Sequence, residues 1–263
     1  MVRRTFEAMA EPPPESEEPH HTLGLEVMSD AVRYRRYLLD LLEPHLGPAI
    51  LEVGSGLGDL AEGLEGHERL VVTDVDPGCL AELSRRFAGR PEVEVKAFDL
   101  REDRRVTTPV DTVLAVNVLE HIEDDVAALR RMTAEVVPGG TVVLFVPAYP
   151  SLYGPHDRAA GHVRRYTPRT LRASVVASGL RVEVLHPVNF LGGVAWWVAV
   201  RVGGCSSPRS DLVGLYDRFV VPVVRLMERR WKPPFGQSII CVARVPKGSD
   251  GAPDRAAPGA SDR

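Results

Sequence analysis

The sequence predicts an α/β protein built on an open, mostly parallel sheet with helices on both faces. Three observations carry this. Short apolar runs of strand length alternate with segments of helical periodicity along most of the chain, the pattern of consecutive βαβ units. A glycine-rich turn, Gly54-Ser55-Gly56-Leu57-Gly58, directly follows the first apolar run. No internal repeat is visible.

The elements follow in order. Glu26 to Glu43 reads as a helix with Val27, Val32, Leu38, Leu39, Leu41 and Leu42 as its apolar set, stopped by Pro44. Ala49 to Val53 is a first strand, and Leu60 and Leu64 fit a helix behind it. Leu70 to Val75 is a second strand. Asp76-Pro77 then looks like the N-cap and first position of a helix reaching about Phe87. Val93 to Phe98 and Thr112 to Val116 are the third and fourth strands. Asp124 and Asp125 open a helix, where carboxylates suit the positive end of the dipole. That helix is expected to run to Val137 and stop at Pro138-Gly139-Gly140. Thr141 to Pro147 is the fifth strand. Thr167 caps a helix with Pro168 at its first position, and Gly179 ends it. Arg181 to Leu185 and Ser238 to Val245 complete seven strands.

Composition sets the outer limits. The chain has 263 residues, 44% of them hydrophobic and 26% charged, which excludes global disorder and a membrane bundle. Residues 1–22 form an acidic, proline-rich arm too polar to build a core, and 247–263 form a similar tail. One domain is therefore expected over 23–246. The first twenty residues lack the apolar run of a signal peptide, so a cytoplasmic protein is expected. The formal charge of −4 shows no basic excess, which argues against a nucleic-acid partner. Cys79, Cys205 and Cys241 are too scattered for a disulfide framework, and no acid-pair or His/Cys spacing argues for a catalytic metal. Only Lys96, Lys232 and Lys247 are lysines, so 29 of the 32 basic residues are arginine. That is a codon signature unless arginines cluster where an anion binds.

The chemistry-bearing residues sit after the strands. Glu52-Val53-Gly54-Ser55-Gly56-Leu57-Gly58 permits a tight turn and lets a ligand touch backbone. Asp59 stands where a dinucleotide fingerprint wants its last glycine, and Glu52 does not belong to that fingerprint either. Asp74, twenty residues after Gly54 at the end of the second strand, suits a ribose diol. Asp99 after the third strand suits an adenine amino group, with a plain turn carboxylate as the competing reading. Val75 and Leu100 flank these acids. Asn117 follows the fourth strand and is expected to line the pocket, its backbone near the cofactor.

Together with Asn117-Val118-Leu119-Glu120-His121-Ile122 and Val137-Pro138-Gly139-Gly140, these motifs resemble the class I S-adenosylmethionine-dependent methyltransferases, over about residues 26–246. The resemblance is closest to their small-molecule branch. It implies a seven-stranded, doubly wound Rossmann-like sheet with its last strand antiparallel. It also implies S-adenosyl-L-methionine as cofactor, lying over the carboxyl ends of the strands against Glu52, Gly54, Ser55, Gly56, Gly58, Asp74, Val75, Asp99, Leu100 and Asn117. An NAD(P)-dependent oxidoreductase and an inactive methyltransferase-like subunit remain the alternatives.

Methyl transfer from a sulfonium mainly needs alignment of acceptor, methyl carbon and sulfur. An oxygen or nitrogen acceptor can also need a base. The densest polar cluster, residues 149–167, follows the fifth strand at the mouth of the predicted site. His162 is the first candidate base and His156 the second. His121 reads as a turn support. Tyr149, Tyr153, Arg158, Arg164, Arg165 and Tyr166 are the candidate acceptor contacts, the arginines as a fork for a carboxylate or phosphate. The competing reading is a lid whose residues pair among themselves, Asp157 with Arg158 or Arg164. Tyr34 and Arg36 in the first helix are further candidates to reach a methionyl carboxylate.

Residues 190–236 break the alternation. Phe190 to Val200 is too short an apolar run to span a bilayer. Asp211 to Lys232 reads as an amphipathic helix pair broken by Pro222, with basic Arg218, Arg225, Arg229, Arg230 and Lys232. A lid, a homodimer surface and a peripheral membrane contact all stay open for this insertion.

Overall fold

The computed structural model describes residues 31–202 and 214–247. The arm, the tail after Lys247, the first turns expected from Glu26, Cys205 and the start of the helix pair expected from Asp211 lie outside these residues.

Seven strands form one sheet: β1 (Ala49–Val53), β2 (Arg69–Asp74), β3 (Val93–Ala97), β4 (Val110–Val116), β5 (Val136–Pro147), β6 (Arg181–Val188) and β7 (Ser238–Arg244). Their order is β3-β2-β1-β4-β5-β7-β6. The β1, β2, β3, β4 and β5 pairings are parallel, and β7 runs antiparallel to both β5 and β6. The expected reversed last strand is therefore present. Central strands such as Val142, Val143, Leu144 and Phe145 are buried on both faces, because helices cover both sides. One apolar layer joins Leu51, Val113, Leu129 and Leu171, and the other joins Leu42, Ile50, Leu83 and Phe145.

The described helices are α1 (Val32–Leu42), α2 (Pro77–Arg86), α3 (Asp125–Ala134), α4 (Pro155–Ala159), α5 (Pro168–Ala177), α6 (Phe190–Val202) and α7 (Val221–Glu228). Local capping explains several starts. Asp76 accepts from Gly78 N and Cys79 N, Asp124 from Ala127 N, and Thr167 from Thr170 N.

Three expectations need correction. No α-helix follows the glycine turn; a single 3₁₀ turn at Ala61–Gly63 stands there. Gly63 and Gly66 lie in the short path from Asp59 to β2, and glycine is a poor helix former. The helix expected to reach Val137 ends at Ala134, because Val136 already pairs with Val110 and carries Pro138-Gly139-Gly140 into the start of β5. Pro222 does not break the insertion helix. A π-helical turn, Tyr216–Val220, leads directly into α7, with Pro222 in its first turn. The wider turn and the helix start both tolerate a missing N–H donor.

The insertion is tied to the body by two acids, buried Asp217 and half-buried Glu228. Asp217 accepts from Tyr34 N at 2.7 Å and Arg33 N at 3.2 Å, capping α1 from 183 residues away. Glu228 accepts from Tyr37 Oη at 2.5 Å, Phe190 N at 2.8 Å and Asn189 N at 3.1 Å. Among the described residues, no helix is long and apolar enough to cross a membrane.

Candidate active site

Parallel strands bring their carboxyl ends to one edge of the sheet, and the motif residues collect there. The glycine turn leaves β1 with Gly54, Gly56 and Gly58 all at positive φ. At Gly54 a Cβ would lie 2.7 Å from the Val118 side chain, so the turn after β4 presses directly on it. A side chain at Gly58 would strike Leu83 and Phe87 at 2.9 Å. Both positions need glycine for conformation and for space.

Asp74 ends β2 and fastens the turn. Its Oδ2 accepts from Gly56 N at 2.9 Å, and its Oδ1 accepts from Val75 N at 2.8 Å and Asp76 N at 3.0 Å. A carboxylate offers about four acceptor sites, so one remains on Oδ2 and a second opens if Gly56 releases. Glu52 is 3% exposed and accepts from Ser55 Oγ at 2.7 Å. Burial pushes its carboxyl up to about 7, Ser55 opposes the rise, and the nearby Asp74 charge adds to it. This cradle fits S-adenosylmethionine: a glycine-lined backbone surface, a diol acceptor and buried negative charge for a cationic ligand. Val75 is exposed beside it and Leu100 is buried behind it. Asp99 is clamped by Arg101 at 2.6 Å and also accepts from Arg101 N. That is the turn-carboxylate arrangement, and an adenine contact would have to compete with it. The Arg101 hydrogen bond holds the Asp99 carboxyl below its usual range. Asn117 is exposed with φ 54°, a left-handed backbone held by its N–H to Phe145 O at 2.8 Å.

The loop after β5 is organised around buried Asp157. Its carboxylate accepts from Arg165 Nε at 2.7 Å and Gly154 N at 2.8 Å, and lies 2.8 Å from His162 Nδ1. Burial alone would raise the Asp157 carboxyl, but bonds from His162 and Arg165 outweigh it and hold it at about 2. With Nδ1 turned to Asp157, His162 presents Nε2 to Glu120 Oε1 at 3.9 Å and its ring edge-on to His121, centroids 4.7 Å apart. Glu120 is wholly buried, and burial pushes its carboxyl up to about 8.

The remaining loop residues divide sharply. His156 packs edge-on against Trp196, and burial lowers its imidazole pKa. Tyr153 donates to His162 O at 2.8 Å. Tyr149, at φ 57°, stacks on Phe235 and donates to Pro234 O. Tyr166 is a core residue, 2% exposed and hydrogen-bonded to Asp125, which corrects its reading as an acceptor contact. The arginine fork does not form as expected. Arg165 is buried on Asp157, and Arg164 is held by Asp125 and Glu123 O. Of the three, only Arg158 is exposed. Tyr34 and Arg36 turn instead to Tyr37 and Asp40. Sequence reasoning passed over Glu120, since an adjacent Glu-His pair gives no sign that the carboxylate will be buried facing a histidine from another loop.

Comparison with known proteins agrees with this geometry. Residues 51–142 match the family model described as a methyltransferase domain. Over these residues the chain carries a methyltransferase domain. An uncharacterized methyltransferase of Mycobacterium bovis is 34% identical to the domain over 116 residues, covering 44% of this chain and 58% of that one. A ubiquinone biosynthesis O-methyltransferase of Paramagnetospirillum magneticum is 35% identical over 112 residues, covering 38% of this chain and 41% of that protein. The chain spans about half the length of the curated relatives it matches. The S-adenosylmethionine-dependent methyltransferase of Mesorhizobium loti shares the domain's fold at a TM-score of 0.54 and 14% identity, covering 79% of this chain and 97% of that one.

Proposed function

We propose that this protein transfers the methyl group of S-adenosylmethionine to an oxygen of a small-molecule acceptor seated against the loop after β5. The observation that carries the reading is the Asp74–Gly56 hydrogen bond at 2.9 Å, which holds a glycine turn open beside a diol acceptor. The glycine turn, Asp74 and Glu52 hold the cofactor. His162, oriented by Asp157, stands at the acceptor's hydroxyl, with Tyr149, Tyr153 and Arg158 around it. The likeness to ubiquinone biosynthesis O-methyltransferases supports oxygen as the acceptor atom. Incubation with methyl-labelled S-adenosylmethionine and fractionated cell extract tests this: label should move to a small organic fraction. Label that never leaves the cofactor, or that enters nucleic acid, refutes it.

A surface of the insertion supports an acceptor that is lipid-linked. Leu215, Phe219, Val223, Leu226 and Trp231 are exposed alongside Trp197. Arg33, Arg225 and Arg229 line a groove of about 370 Å³ with Val221, Pro222 and Leu226. Apolar side chains flanked by arginines suit an anionic interface. Flotation with anionic liposomes at low salt should carry the protein. A protein that stays with the soluble fraction removes this second reading.

A further inference from the structure

Glu120 is the one described residue with buried side-chain oxygens that find no hydrogen-bond partner; both Oε1 and Oε2 are in that state. Its exposure is 0%. An unsatisfied buried polar atom costs about 1–3 kcal/mol, and more when charged, so such a group calls for a ligand. What faces it is two imidazoles. One ligand atom each from Glu120, His121 and His162 lies within 4.8 Å of the others. The 3.9 Å between His162 Nε2 and Glu120 Oε1 is too long for a hydrogen bond and leaves room for an ion drawn in between.

The His162 ring is prepared for this. Asp157 holds Nδ1 at 2.8 Å, which fixes that nitrogen as the N–H and leaves the Nε2 lone pair aimed at Glu120. A carboxylate behind a histidine is the usual support of a metal ligand. Asp157 is itself pinned by Arg165 and Gly154, so the orientation does not depend on the ion. The backbone adds a further tie, because Val163 N donates to Glu120 O at 2.9 Å and locks the two loops in register.

We infer that Glu120, His121 and His162 form a binding site for a divalent transition-metal ion. Two imidazoles and one carboxylate are a borderline donor set that favours zinc-like ions over magnesium or calcium. Three protein ligands leave a coordination position open, as in catalytic rather than structural sites. The binding stands on the ligand set alone. Its role rests on the reading of this loop as the acceptor side: an acceptor hydroxyl at the open position loses its proton to bulk water more readily. Its oxygen then takes the methyl carbon as the bond to sulfur breaks and S-adenosylhomocysteine leaves. His162 is then a ligand, and the ion does the work otherwise given to a base.

The test uses the full chain, stripped with chelator and titrated with Zn²⁺ and with Co²⁺. One equivalent should bind, and Co²⁺ should give visible absorption of a nitrogen-ligated site. Glu120→Gln and His162→Gln should each weaken binding at least tenfold, whereas His156→Ala should not. S-adenosylhomocysteine binding and the melting temperature, measured on the same samples, show that the variants fold. Wild-type protein that binds neither ion, or affinity undiminished in both variants, overturns the site. Metal binding without any S-adenosylhomocysteine binding supports the site and refutes the cofactor reading separately.

Discussion

Arg165 Nε and His162 Nδ1 meet the same oxygen of Asp157, at 2.7 and 2.8 Å, inside a loop where the carboxylate is fully buried. One acid therefore orients the histidine and neutralises the guanidinium. Asp157→Asn keeps the shape but weakens both ties, and turnover should fall by about 10²-fold or more. Cofactor affinity, read by calorimetry, should stay within a few fold. Asp157→Ala leaves Arg165 buried without a partner and should cost about 3–5 kcal/mol of stability. The acid dependence has a definite sign. The folded Asp157 carboxyl, near 2, lies below its ordinary 3.8. Its contribution is present above 3.8 and is lost as pH falls through 2.

Asp74 should decide cofactor binding. Hydrogen bonds to a charged group contribute about 1.5–3 kcal/mol each. Asp74→Ala should lower affinity for S-adenosylhomocysteine by at least tenfold, and calorimetry reads it directly. Because Gly56 N already occupies part of Oδ2, the Gly56 amide should shift in nuclear magnetic resonance spectra when ligand enters.

Glu52 predicts a pH dependence. Its carboxyl is raised from 4.5 to about 7 by burial, so it becomes fully anionic only above neutrality. S-adenosylmethionine is cationic at sulfur, and its affinity should rise severalfold between pH 6 and pH 8. Glu52→Gln should flatten that curve. Stability runs the other way. The folded chain holds this proton more tightly than the unfolded chain, so the contribution is complete below 4.5 and is lost as pH rises through about 7.

Asp217→Ala removes the cap of α1. A lost N-cap costs about 0.5–2 kcal/mol, so the melting temperature should fall by a few degrees. Limited proteolysis should cut first near the insertion, at residues 214–228. An unchanged digestion pattern would show that the cap does not hold the insertion down.

The sheet was legible because its signals are local. Apolar runs such as Val142 to Val146 declare a two-sided buried strand, and Asp76-Pro77 and Thr167-Pro168 announce helix starts within four residues. The candidate edge was legible for the same reason, since Gly54, Gly56 and Asp74 each sit at a strand end. What escaped depends on distant partners. Asp217 gives no sign of capping a helix 183 residues earlier. Tyr166 reads as a polar aromatic until Asp125 is found beneath it. The arginine run looked like one fork because neighbours in sequence were taken as neighbours in function. Alternate side chains instead met Asp157 and Asp125.

Glu228 joins three segments through one carboxylate: Tyr37 of α1, the backbone at Asn189 and Phe190, and its own helix. Cutting out residues 190–236 would therefore strip two partners from α1 rather than remove an appendage. The insertion behaves as a keystone. Its inner acids belong to the same framework that holds α1 in place. Changes made there in search of a new acceptor would be felt first as lost stability.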